Sequence, residues 1–217
     1  MVNLLRKLGQ PAMALLLTFA VIFGIFGSIK AEAATDEYNY DGMTRDTVDY
    51  HMGMYVRPHG SSDYGEVAYC FNYDRHFPPE NGAYARYAKD KGTADLFVKM
   101  ADTPRLDKNL SGNAQKEDFY KKVLTILYNG YPRDNAGLQK KYNLSNAKMR
   151  MVTQLAVWYM TDSKELDLEH FTLTSDDQKV FHELLARMTT TKLPSEFGLN
   201  LFTPKDTYYQ NLLSSGI

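Results

Sequence analysis

The chain carries one cysteine, Cys70, in the stretch Tyr69-Cys70-Phe71-Asn72, and a glutamine, Gln154, in the run Met151–Met160, where only Thr153 and Gln154 interrupt the apolar residues. A thiol and a primary amide can react with each other. The thiolate is the nucleophilic form of cysteine. If it attacks the carboxamide carbon, ammonia leaves and a thioester remains. Neither residue makes this case alone. A lone cysteine also reads as a small buried hydrophobe or as half of an intermolecular disulfide. A buried glutamine also reads as a side chain that hydrogen-bonds the backbone and only packs.

The elements that must position the two residues are legible. Residues 65–72 form a strand with Val67, Tyr69 and Phe71 on one face and Ala68, Cys70 and Asn72 on the other. An earlier strand is expected over Thr47–Val56, where apolar and polar residues alternate, with a turn at Arg57–Asp63 rich in Pro, Gly and Ser. Residues 143–162 form a helix with Ser145 as N-cap. Gln154 shares a stripe of that helix with Ala147, Met151 and Trp158. A helix that is apolar nearly all round is buried, and a buried amide without a partner costs about 1–3 kcal/mol. Tyr69, Phe71, Trp158 and Tyr159 surround the pair with apolar surface, which would keep water from a reactive bond. Asn72 is a candidate to hold the acyl oxygen. His76, His51 and His59, with Asp74, are candidates to assist as bases.

The N-terminus reads as an export signal. Arg6 and Lys7 precede an uncharged run over Met13–Ile29, followed by Ala31-Glu32-Ala33, a small-x-small cleavage site. Residues 1–34 are the expected signal peptide, with an uncleaved membrane anchor as the alternative. Residues 35–46 are then a leader, 47–213 one domain and 214–217 a tail. An exported chain normally uses cysteines in pairs, so the single Cys70 stands out. The formal net charge of −1 argues against nucleic acid as a partner. No metal or cofactor motif is visible.

Together these residues resemble the thioester domain of Gram-positive surface adhesins. The resemblance rests on Tyr69-Cys70-Phe71-Asn72, on Thr153-Gln154-Leu155-Ala156-Val157-Trp158 as a TQxA motif, on the turn Asn129-Gly130-Tyr131-Pro132, and on Gln210-Asn211-Leu212-Leu213 as the closing strand. It implies an internal thioester between Cys70 and Gln154. It also implies covalent capture of a host protein, fibrinogen-like in some members, through a lysine amine. The domain would act at the cell surface or after secretion, as a single-turnover binder and not a catalyst. No sortase signal follows Leu213, which departs from the family pattern. A cysteine hydrolase or acyltransferase and a non-covalent binding module stay open as alternatives.

The rest is scaffold. Helices are expected over Asn113–Tyr128 and over Thr174–Met188, the latter with a capping-box start, and a further helix over Asn81–Met100. Strand returns over Leu199–Leu213, broken at Pro204. Strands at both ends around a helical middle (about residues 82–190) give an α+β fold, a sandwich- or barrel-like β portion with an inserted helical subdomain and the reactive pair at their interface.

Overall fold

Two antiparallel strands, β1 (Tyr40–Val48) and β2 (His51–Pro58), occupy the stretch read above as a leader and a single strand. The domain thus begins well before residue 47. Residues 40–48 carry Asp41, Gly42, Thr44 and Arg45, so no apolar alternation announces a strand. Pairing on both sides makes it one, with β2 and with β4 (Gly82–Tyr87). The buried Asp41 is satisfied by partners at the end of β2 and just beyond it. His59 Nδ1 lies 2.8 Å from Asp41 Oδ1, and Arg57 Nε lies 3.9 Å from Oδ2.

In this computed structural model the described residues are 38–48, 51–79, 82–87, 93–163 and 166–215. The expected signal peptide lies outside them. Among the described residues, β1, β2, β3 (Glu66–Cys70), β4, β5 (Asn200–Pro204) and β6 (Leu212–Ser214) close an antiparallel barrel in the order β1-β2-β3-β6-β5-β4. A closed barrel has no free sheet edge. Ser214, assigned above to a tail, sits in the barrel opposite Ala68. Residues 82–87 are strand and not helix. Ala83, Ala85 and Arg86 favour helix, and pairing with β1 and β5 overrides that preference.

The helical portion comprises α1 (Thr93–Met100), α2 (Gly112–Asn129), α3 (Leu138–Lys141), α4 (Asn146–Thr161) and α5 (Ser175–Arg187). Both expected caps are present. Ser145 Oγ accepts from Lys148 N at 3.2 Å. Thr174 Oγ1 accepts from Asp177 N at 3.2 Å, while Asp177 Oδ2 accepts from Thr174 N at 2.8 Å. α4 lies against α2, α5 and β3, and from Met151 to Thr161 every residue but Tyr159 is buried. Strands from both ends of the chain therefore enclose a helical middle, which is the α+β arrangement the sequence implies.

Asp162, one residue beyond α4, is buried and accepts from Tyr73 N (3.0 Å) and Thr161 Oγ1 (3.1 Å). Burial first, then the nearby Asp102 and Asp74, raise its carboxyl to about 7 despite those two bonds. The folded state thus holds this proton more tightly than the unfolded chain does. That contribution is complete below the ordinary value of 3.8 and is lost as pH rises through about 7. Asp162→Asn should therefore be more stable than the parent at pH 8, by about 1–2 kcal/mol. The gap should close near pH 4 in denaturant titrations.

Candidate functional site

The register of the barrel prepares the site. β2 and β3 pair from Val56↔Glu66 to Met54↔Ala68 and then part, while β2 stays with β1 as far as Val48↔His51. On its other side β3 continues with β6, with Leu212 opposite Cys70 and Phe71 N donating to Asn211 O at 2.9 Å. The Cys70 peptide groups that face away from β6 are left without a strand. Helix α4 supplies the substitute. Cys70 N donates to Gln154 Oε1 at 2.7 Å, and Gln154 Nε2 donates to Cys70 O at 2.8 Å. A side-chain amide stands where a neighbouring peptide group would be.

One helical turn earlier, Arg150 enters the same cleft. Its guanidinium donates to Met54 O and to Ala68 O (3.4 Å), bridging the strands where they separate, and lies 4.4 Å from the centre of the Tyr55 ring. Gly53 admits it, because a Cβ there would fall 2.7 Å from Arg150 Nη1.

Side-chain alternation then separates two environments around β3. Tyr69 and Phe71 leave the strand toward the helices. Tyr69 OH donates to Tyr131 O at 2.5 Å, and Phe71 meets Phe97 of α1 edge-on with ring centres 5.7 Å apart. The Cys70 thiol leaves on the opposite face. It is 2% exposed, and burial pushes its pKa up, opposed by the Arg150 charge and by the Gln210 amide. Gln154 is 8% exposed, so the pair is nearly closed to water.

The other residues singled out from the sequence have distinct places. Thr153 braces the site, with Oγ1 donating to Met149 O (2.8 Å) and accepting from Tyr131 N (3.0 Å). Trp158 is buried, with its ring edge-on to Tyr73 at 5.0 Å. Tyr159 does not shield the pair. It is partly exposed, set against Phe181 of α5 and covered by Arg105. Asn72 does not hold the amide oxygen. Its Nδ2 donates to Met100 O (2.8 Å) and Asp102 Oδ2 (2.9 Å), and its Oδ1 accepts from Asn211 N (3.2 Å) and Asn211 Nδ2 (2.9 Å). It ties β3 to the end of α1 and to the residue before β6, and the oxygen of Gln154 is held by the N–H of Cys70 itself.

His59 and His76 offer no base to the thiol. His76 is exposed and stacked on Tyr208 with ring centres 3.9 Å apart, and His59 is engaged by Asp41. The side chain of His51 lies outside the described residues, and Asp74 is exposed. Among the described residues no histidine is bonded to Cys70. Sequence reasoning missed Arg150 and Gln210. Arg150 had a signal, a cation four positions before Gln154 on a helix otherwise destined for the core.

A closed antiparallel barrel joined to a helical layer by a cysteine–glutamine pair defines the class. Residues 67–190 match the family model for the thioester domain, and the chain belongs to that family. It is similar to the pilus tip adhesin Cpa of Streptococcus pyogenes, with 34% identity over 202 residues, covering 82% of this chain and 28% of that protein. The chain thus spans little more than a quarter of that relative. Among solved structures, the N-terminal thioester domain of a Clostridium perfringens surface protein superposes with a TM-score of 0.68 at 30% identity, covering 82% of this chain and 98% of that one. The N-terminal domain of Cpa gives 0.64 at 28%, covering 85% and 96%. The N-terminal thioester domain of the fibronectin-binding protein SfbI from S. pyogenes shares the fold, at 0.65 and 24%, covering 84% and 95%.

Proposed function

We propose that this domain is the reactive module of a bacterial surface adhesin. It forms a thioester between Cys70 Sγ and Gln154 Cδ, then surrenders the acyl group to a lysine of a host extracellular protein. The observation that carries this reading is the reciprocal pair of hydrogen bonds between the Gln154 carboxamide and the peptide groups of Cys70. They hold the electrophilic carbon beside the residue whose thiol attacks it. Holding reactants in register replaces a bimolecular encounter.

In closure the Sγ–Cδ bond forms, the Cδ–Nε2 bond breaks, and the thiol proton leaves on ammonia. The Cys70 N–H, 2.7 Å from Oε1, steadies the oxygen as charge gathers on it. In capture an amine attacks Cδ from the position that Nε2 held, with an N–H toward Cys70 O. The Sγ–Cδ bond breaks, and an amine proton ends on sulfur. The product is an intermolecular isopeptide amide, and Gln154 is spent, so there is no turnover. A hydrolase is disfavoured because no described histidine serves the thiol as a base for turnover. For attachment under load the chemistry has a clear advantage. Non-covalent affinity saturates near −18 to −21 kcal/mol, whereas an amide bond has no dissociation rate to overcome.

Intact-mass spectrometry tests the proposal. The purified domain should weigh one ammonia less than its sequence, and methylamine should convert it to the N-methylamide. Cys70→Ala should show neither change. A full unmodified mass with rapid alkylation of Cys70 would overturn the thioester reading.

A further inference from the structure

Gln210 is a buried polar group without an evident structural purpose. It is fully buried, yet neither Nε2 nor Oε1 meets a hydrogen-bond partner. Its backbone is fixed on both sides. Gln210 N donates to His76 O at 3.0 Å, and Gln210 O accepts from Tyr84 OH at 3.0 Å. Leu212 lies opposite Cys70, and Asn211 O accepts from Phe71 N. Gln210 lies two residues before β6, just past the last bond of that ladder and within reach of the Cys70 thiol. The same carboxamide opposes the effect of burial on the thiol, as an N–H directed at sulfur does. Buried amides are almost always paired, because an unpaired one destabilises the fold. A glutamine kept here without a protein partner points to a partner that exists only during the reaction.

Resting on the thioester reading, we propose that Gln210 Nε2–H stabilises the Cys70 sulfur while it bears negative charge. It acts in closure as the thiol proton passes to the departing nitrogen, and in capture as the C–S bond breaks. It gives up no proton in either step, so the atom balance of both is unchanged. A donor aimed at charge that appears only on the way through the reaction accelerates it without tightening the ground state.

The test compares the parent with Gln210→Met and Gln210→Leu, which keep an apolar side chain of similar size and carry no hydrogen-bond donor. Intact mass gives the thioester content, the methylamine time course gives the capture rate, and thermal melting reports the fold. Both variants should capture methylamine about tenfold or more slowly, or fold without forming the thioester, and Gln210→Met should melt at or above the parent temperature. A Gln210→Met domain that forms the thioester and captures methylamine within twofold of the parent would overturn the inference. So would parent-like rates in Gln210→Leu, since filling the space would then suffice. A parent that never loses ammonia would defeat the thioester reading itself, a result distinct from either.

Discussion

Gln154→Glu should abolish amine capture while leaving the barrel and helices assembled. The variant should show its full sequence mass, and no N-methylamide should form after prolonged methylamine treatment. The new carboxylate can still accept from Cys70 N, where Oε1 now lies at 2.7 Å. It cannot donate to Cys70 O, where Nε2 lies at 2.8 Å. Closure fails for a chemical reason, because an ionised carboxylate is a poor electrophile with no ammonia to expel. Relative to Cys70→Ala, which has no crosslink and keeps both amide bonds, the fold should weaken, because a buried carbonyl loses its donor and faces an acceptor, at a cost of about 1–3 kcal/mol. Urea titrations should record that loss as a lower midpoint with an unchanged slope. Full stability with full capture would mean that another carbonyl supplies the acyl group.

The Cys70–Gln154 pair was legible because each member lies in an element with a strong local signature. Cys70 ends a strand with clean alternation, and Gln154 lies on a capped helix too apolar to be anywhere but inside. What joins them was not legible. The parting of β2 from β3 beyond Met54↔Ala68 depends on strand registers set by the whole barrel. Nothing local in residues 51–70 signals it. β1 escaped notice because its polar residues are satisfied by distant partners, as Asp41 is by His59. β4 escaped because Ala and Arg in residues 82–87 favour helix on their own, and only pairing with β1 and β5 makes the segment strand. Asn72 lies two residues beyond β3, and its role is decided by Met100, Asp102 and Asn211, all remote in sequence. Gln210 was visible only as part of a resemblance. Its unpaired amide is a property of the closed barrel, and no spacing rule announces it.

Gly130→Ala should be among the most damaging single changes outside the reactive pair, although it adds only one methyl. Gly130 follows α2 at its crossing with α4, and its N donates to Ile126 O at 2.7 Å. A Cβ there would lie 2.4 Å from Thr153 Cγ2, 2.6 Å from Thr153 Oγ1 and 2.8 Å from Ile126 O. Thr153 is fully buried and held by Met149 O and Tyr131 N, so it cannot swing clear without breaking both bonds. Ile126 O is backbone and cannot yield either. The helices must separate. Overpacking costs about 1–3 kcal/mol, and an orphaned Tyr131 N–H adds about 1–3 kcal/mol, so a loss of about 3–4 kcal/mol is expected in denaturant titrations. The same displacement reaches the chemistry, because Gln154 is the next residue along α4. Its carboxamide meets Cys70 through bonds of 2.7 and 2.8 Å that tolerate little movement. Thioester content should therefore fall with stability. Thr153→Ser in the Gly130→Ala background removes the closest clashing atom and leaves a hydroxyl free to turn. The double variant should recover part of both losses, and strict additivity of the two substitutions would show that this crossing does not position Gln154.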